Sequence, residues 1–348
     1  MASLITLLRK KLIACEFCYV SYTQLKYKIQ SFVQLRYFLY DIKNTWENMY
    51  WGNETLMHPT QLQAKLLFYY HKIEKGLCMP GQRRFFGIEI IPQVIRLLTV
   101  WEANGNSKND LIYIGAINSL RSYKKKFISQ KKIASNPETL KIVSNFLDLR
   151  ETTPSTAPTP ITITKTQIES TIAFDDFKKL CVMRRSARNF DSTKVPRELI
   201  EQAISLAQLS PSACNRQPCK VYTIENGDLK KKLLSYQNGN AGFGHLAPII
   251  FVVTSNSNHF FGAIERNQPY VDGGLFSMSL LLALQTQGIV SCCLNWCVTP
   301  SADSAIHALL SIPNSERIIM FIAAGFPVDT TTVPKSHRKA TSSALVFQ

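Results

Sequence analysis

The sequence predicts two architectures in succession: an all-helical first half, then a layered domain in which helices alternate with short strands. Three observations carry this. Apolar residues before position 150 recur at three- and four-residue intervals with Lys and Gln between them. Residues 154–160 place three prolines among threonines, a composition that stops a helix and favours an extended spacer. After it come apolar runs of strand length, the richest being Pro248-Ile249-Ile250-Phe251-Val252-Val253. The expected division is a basic helical region over 1–150, a Pro/Thr-rich linker over 151–166 and a second domain over 167–348.

Each element has a local reason. Leu25, Ile29, Phe32, Leu35 and Leu39 mark a first helix. A second is predicted over 60–75, with Leu62, Leu66, Leu67, Tyr70 and Ile73 as its stripe and Gly76 where a left-handed cap belongs. Pro92 suits the first turn of a third helix, through Val94, Leu97, Leu98 and Trp101. Asn136-Pro137-Glu138 opens a fourth, ending near Arg150. Beyond the linker, helices are predicted over 168–183, 196–209, 228–236 and 272–286, the last stopping before Gly288. Strands are predicted over 219–224, 248–254, 289–294 and 318–323. No internal repeat is visible.

Composition narrows the function classes. Hydrophobic residues make up 45% of the 348 residues, with 19 Phe and 13 Tyr, enough to bury a core and exclude wholesale disorder. No stretch approaches the roughly 18 unbroken apolar residues of a membrane span. The order of charge and apolar residues in 1–9 is the reverse of a secretory signal. Of the net charge of +16, most is early: residues 1–165 carry 23 basic and 11 acidic side chains. That imbalance suits contact with an anionic surface or glycan, or a merely soluble basic domain. Nucleic acid has charge alone in its favour, with no binding motif. Nine cysteines form no regular framework, and Cys15-Glu16-Phe17-Cys18 lacks a second pair at zinc spacing, so no metal site is expected. A reducing cytoplasm fits this usage.

Three polar segments of the second half carry chemistry. Arg184-Arg185-Ser186-Ala187-Arg188 sets three guanidinium groups and a hydroxyl in five residues, a donor set for a doubly charged phosphate, or a charged turn. Ser210-Pro211-Ser212-Ala213-Cys214-Asn215-Arg216-Gln217-Pro218 is a proline-stiffened loop whose donors and acceptors suit the edge of a planar heterocycle, or an ordinary turn. Pro334-Lys335-Ser336-His337-Arg338-Lys339 is a late cationic cluster that also reads as a solvated tail.

Together with Tyr270-Val271-Asp272-Gly273-Gly274, the Gly288-Ile289 turn and Gly325-Phe326-Pro327, these segments resemble the nitroreductase family of flavin mononucleotide (FMN) enzymes. Five ordered matches span about residues 167–340. The resemblance implies an α+β fold: a three-layer α/β/α sandwich around a mostly antiparallel sheet. It also implies a homodimer that holds two FMN molecules at its interface. By the same resemblance Arg184, Arg185, Ser186 and Arg188 hold phosphate and the pyrimidine edge of the ring. Pro211, Ser212, Ala213 and Asn215 approach the flavin from the other subunit, with Gln217 supporting their loop. Leu294 and Asn295 present backbone N–H groups near N5, and Lys335 and Arg338 complete the phosphate site.

Two departures alter the pattern: Cys219 replaces the usual aromatic residue after Gln-Pro, and Asn295-Trp296-Cys297 lacks the usual glycine or acidic residue. The implied activity is reduction of a small organic acceptor with NAD(P)H in a ping-pong cycle, needing no catalytic side chain. A flavin-dependent dehydrogenase of a biosynthetic intermediate and a non-enzymatic FMN-binding interaction protein are the alternatives. In the helical half, His71, Glu74, Lys75 and Gly76, followed by 81–87, resemble helical extensions of nitroreductase-like proteins linked to surface-polysaccharide pathways. A capped helix end is the simpler account of them. Lys72 holds the place of the glutamate that zinc-protease chemistry would need.

Overall fold

The computed structural model describes residues 16–49, 57–79, 86–129, 137–150, 160–169 and 171–348. The segments 1–9, 81–85 and 151–159, together with Cys15, lie outside the described residues, and so does any test of what the sequence suggests for them.

Helix α1 (Glu16–Asn48) is followed by α2 (Pro59–Cys78), α3 (Ile90–Ala103), α4 (Leu111–Ser129) and α5 (Pro137–Asp148). Helices α2 to α5 close over one core, in which Leu66, Ile73, Leu97, Tyr113, Leu120 and Val143 are fully or almost fully buried. Helix α4 is not predicted from the sequence. Its inward face carries Asn118 and Ser119 among the apolar residues, and Lys124, Lys125 and Lys126 crowd its end, so the apolar period is blurred.

Gly76 corrects an expectation. It does not cap α2 but lies within it, because the ring of Phe86 fills the space a Cβ would need. Lys126 Nζ takes the exposed carbonyl of Leu77 at 2.6 Å, closing the helix by another route.

The second half begins with α6 (Lys165–Glu169) and α7 (Phe174–Met183). A single helix is predicted over 168–183. Instead the Thr171 hydroxyl bonds back to the carbonyls of Gln167 and Ile168, the local competition that ends helices at Ser and Thr. Then come α8 (Arg197–Ala207), strand β1 (Cys219–Ile224), α9 (Gly227–Leu234), β2 (Ile249–Asn256), α10 (Gln268–Thr286), β3 (Val290–Asn295), α11 (Pro300–Leu310) and β4 (Glu316–Gly325). Helix α11 is also absent from the sequence reading, although Thr299 before Pro300 is a strong start signal and its Oγ1 accepts the Ala302 N–H.

The four strands form one antiparallel sheet in the order β1-β2-β4-β3. Strand β2 is buried on both faces, and its side chains alternate between two cores. Ile250 and Val252 join Leu233, Leu294, Ile306 and Phe321 on one face. Ile249, Phe251 and Val253 join Ala203, Leu280, Leu284 and Ile322 on the other. Helices thus cover both faces, the three-layer α+β sandwich that the resemblance implies. Gly288, at φ 75°, ends α10 where the sequence predicts. Strand β3 is a sheet edge, and the candidate site lies against it.

Candidate functional site

The arginine-rich segment is placed by β3. Ala187 N–H donates to Ser291 O at 3.1 Å, and Ser186 forms a parallel bridge with Ser291. Downstream, Phe190 is buried and Asp191 N–H donates to Phe326 O at 2.8 Å. The Gly325-Phe326-Pro327 segment is therefore the support of this turn. A Cβ on Gly325 would lie 2.5 Å from Pro248, so glycine lets the two chains pass.

The result is a cleft of about 300 Å³ lined by Arg188, Gly239, Cys292, Cys293, Leu294 and Asn295, with Ile319 and Met320 below. Arg188 is exposed, stands 5.4 Å over the Phe243 ring and donates to Ser186 O at 3.2 Å. Arg184 and Arg185, which precede it in the same turn, are half-buried. Among the described residues, none of these three arginines has a carboxylate partner. Three cations in one short segment, without counter-ions among the described residues, suit a phosphate, and the edge strand leaves peptide groups for a ring, so the donor set fits FMN. Leu294 faces the core with its side chain, while the exposed Asn295 donates to Cys297 Sγ at 3.4 Å and its carbonyl accepts from Gln237.

The polar loop lies elsewhere. Cys214, Asn215 and Gln217 all have left-handed backbones, at φ 52°, 55° and 49°. Non-glycine residues adopt that region at a cost of about 1–3 kcal/mol each, so something must hold them there. Three anchors do so. Gln217 N–H donates to Ser212 Oγ at 3.0 Å. The Ala213 N–H donates to both carboxylate oxygens of Asp272, at 3.1 and 3.3 Å. Arg216, wholly buried, donates through Nε to Ala213 O at 2.8 Å and through both terminal nitrogens to Glu265, at 2.6 and 3.0 Å.

The Arg216 guanidinium also lies 4.9 Å from the Phe260 ring and 4.7 Å from Phe261, with Phe68 of α2 at 5.9 Å. Phe68 meets Phe261 edge-on at 5.0 Å, so the helical half closes this cluster. Burial alone would raise the Glu265 carboxyl. Hydrogen bonds from Arg216 and from the Phe261 N–H, with the arginine's charge, bring it below the ordinary range.

In the segment Tyr270-Val271-Asp272-Gly273-Gly274, Asp272 pins the loop and Gly273 lets α10 approach Ile319, which a Cβ would meet at 2.6 Å. Burial raises the Asp272 pKa, opposed by hydrogen bonds from Gln268 and Ala213. Neither Arg216, Glu265 nor Asp272 is among the site residues predicted from sequence. Their signals are indirect, since Arg216 and Asp272 sit inside the motifs but act behind the loop.

Ser210, Pro211, Ser212 and Gln217 open on a second cleft, of about 160 Å³, whose other wall includes Gln63 and Leu67 of α2 and Ile112 of α4. Cys219 lines it as well, and burial pushes its thiol up to about 12, so it is a neutral wall and not a nucleophile. His259 Nδ1 is bonded to Arg216 O at 2.7 Å, and burial lowers its pKa.

Within one chain the predicted residues thus form two groups. Ser186, Arg188, Leu294 and Asn295 meet at the β3 edge, with Arg184 and Arg185 just before them in the chain. Pro211, Ser212, Ala213, Asn215 and Gln217 share the loop. Lys335 and Arg338 are exposed on the extended segment after β4, with Arg338 turned onto Ser336 O at 2.5 Å. His71 pairs with Glu74 at 3.0 Å on α2.

Residues 182–239 match the family model of the Nitroreductase family. Over 200 residues the chain is 24% identical to iodotyrosine deiodinase 1 of Mus musculus, covering 49% of this chain and 69% of that protein. It is also 24% identical to the iodotyrosine deiodinase of Haliscomenobacter hydrossis over 191 residues, 47% of this chain and 84% of that one. Among solved structures, a nitroreductase family protein from Streptococcus pneumoniae aligns with a TM-score of 0.42 at 21% identity, over 49% of this chain and all of that one.

Proposed function

We propose that the second half of the chain, where residues 182–239 match the Nitroreductase family model, works as an FMN-dependent oxidoreductase. It would draw electrons from NAD(P)H and deliver them to a small organic acceptor, as a homodimer whose two flavins each lie between the chains. The observation that carries the reading is Arg188, with Arg184 and Arg185 in the same turn, none of them paired with a carboxylate among the described residues, beside the sheet edge that Ser186 bridges at Ser291.

Bound FMN would supply two-electron hydride chemistry, taking hydride from a reduced nicotinamide and giving it to an acceptor on the same face. The chain's own residues supply the rest. Arg184, Arg185 and Arg188 would bind phosphate and place positive charge where electrons arrive. The backbone at Leu294 and Asn295 would line one side of the ring. Lys335 and Arg338 would reach the phosphate in the assembled dimer.

Two features support the shared site. The cleft at Arg188, about 300 Å³, is at the bottom of the roughly 300–1,000 Å³ that ligand pockets span. The loop bearing Asn215 opens on a different cleft of its own chain. Helix α10 offers the surface for pairing: it is predominantly apolar, and Leu275 and Met278 remain 44% and 43% exposed.

A second reading, reductive removal of a halogen, follows the activity named for the deiodinase relatives. One anaerobic experiment separates the possibilities: the protein is titrated with FMN, then NADH or NADPH is added while flavin absorbance is followed. Rapid bleaching that an added acceptor reverses supports the oxidoreductase. Iodide released from an iodophenol would select the second reading. Flavin that binds and never bleaches contradicts both.

A further inference from the structure

Helix α1 is docked with its polar side inward. Tyr37, Tyr40, Asn44 and Asn48, at three- and four-residue spacing, are partly buried, as is Thr45, and Tyr40 donates to Asp303 at 2.6 Å. On the opposite side, Leu25, Phe32, Leu35 and Leu39 follow the same spacing and are 58%, 77%, 46% and 56% exposed. An amphipathic helix on a globular protein ordinarily does the reverse. Four large apolar side chains in one line are more than scattered surface residues, and they require an apolar occupant.

Charge decides which. Lys28 stands within the line, while Arg36 and Lys43 border it on one side; all three are exposed. The other border is Ser31 and Gln34, uncharged. Asp41 turns away, lining clefts that it shares with Arg317. Glu47 is the acid beside this edge, and Lys43 already engages it at 3.8 Å. A second copy of α1 would therefore bring cations to an edge with no free acid to receive them.

An anionic lipid surface supplies what is missing: hydrocarbon for the apolar line and negative headgroups for Lys28 and Arg36, whose stems can lie along the apolar surface. The excess of basic residues in 1–165 adds attraction at longer range. Among the described residues no helix is long and apolar enough to cross a bilayer, so the contact is parallel to the surface. The geometry points to α1 as a peripheral membrane-docking helix, lying in the interface of an anionic bilayer with its apolar line down and the enzyme domain on its upper, tyrosine-bearing side.

The test uses the full chain loaded with FMN. It is sedimented with vesicles of phosphatidylcholine alone or with about one-third phosphatidylserine. The expected result is binding to the anionic vesicles, weakened by salt, with little binding to the neutral ones. Phe32→Glu with Leu39→Glu should lower partitioning about a hundredfold, since two buried apolar side chains are lost. Lys28→Gln with Arg36→Gln should lower it about tenfold or more and flatten the salt dependence. All four positions are exposed, and circular dichroism checks that both variants fold. Wild-type chain that ignores anionic vesicles overturns the proposal, as does undiminished binding by the double glutamate variant. So does light scattering in which the wild type forms a larger oligomer that the glutamate variant halves, because a second copy then covers the line.

Discussion

Replacing Arg216 with alanine should release the loop that presents Asn215. The side chain is wholly buried and makes three hydrogen bonds, two of them to Glu265 at 2.6 and 3.0 Å. Removing one member of a buried ion pair costs about 3–5 kcal/mol, chiefly because the other charge is stranded. The Glu265 side chain is 27% exposed and can partly rehydrate, which places the cost near the lower end, about 3 kcal/mol, or roughly a hundredfold in the folding equilibrium. The loop would also lose its hold on the left-handed backbones of Cys214, Asn215 and Gln217, so FMN affinity should fall beyond the loss of stability.

Arg197 and Glu201 make a control of similar length, 2.7 Å, but with side chains 86% and 62% exposed. Arg197→Ala should leave both properties unchanged. Urea unfolding followed by tryptophan fluorescence measures stability, and quenching of free flavin fluorescence measures affinity. If Arg216→Ala unfolds at the same urea concentration as Arg197→Ala, the buried pair does not hold this loop.

Three further outcomes are expected. Arg184→Ala and Arg188→Ala should each weaken FMN binding about ten- to a hundredfold, from a charge-assisted contact of about 1.5–3 kcal/mol, as read by flavin titration. Hydrogen bonds from Arg150, at 2.7 and 2.8 Å, hold the Glu102 carboxyl below its ordinary range against the opposing effect of burial. The stability this confers is complete above the unfolded carboxylate value of about 4.3 and is lost as pH falls through the lower folded value, so Glu102→Gln should flatten the acid side of the stability curve. Gly76→Ala should cost about 1–3 kcal/mol by driving a methyl into the Phe86 ring, and Phe86→Leu should recover part of it in thermal melts.

What was legible in the sequence followed the range of each interaction. Strand β2 and its buried neighbours were visible because a continuous apolar run has few other uses. The end of α10 was visible because Gly288 needs a left-handed backbone. Gly76 misled because the same residue type serves a close approach, and its partner, Phe86, is known only once the helices are packed. The arginine segment and the loop could be named from residue types alone. The pieces that hold them could not, since Glu265 and Phe68 lie 49 and 148 positions from Arg216 and reach it only through the fold. The outward turn of α1 was likewise hidden, because an apolar stripe in a sequence does not say which way it faces.

The central claim, a flavin site shared between two copies of the chain, is tested most directly by mixing subunits. Chains carrying Arg184→Ala and chains carrying Asn215→Ala are each purified, then dissociated and reassociated together, and bound FMN is measured. In a shared site, half of the sites in a mixed dimer carry both lesions and the other half carry none, so flavin binding should recover above either parent. Mixed dimers that form and bind no more FMN than the parents would contradict the account.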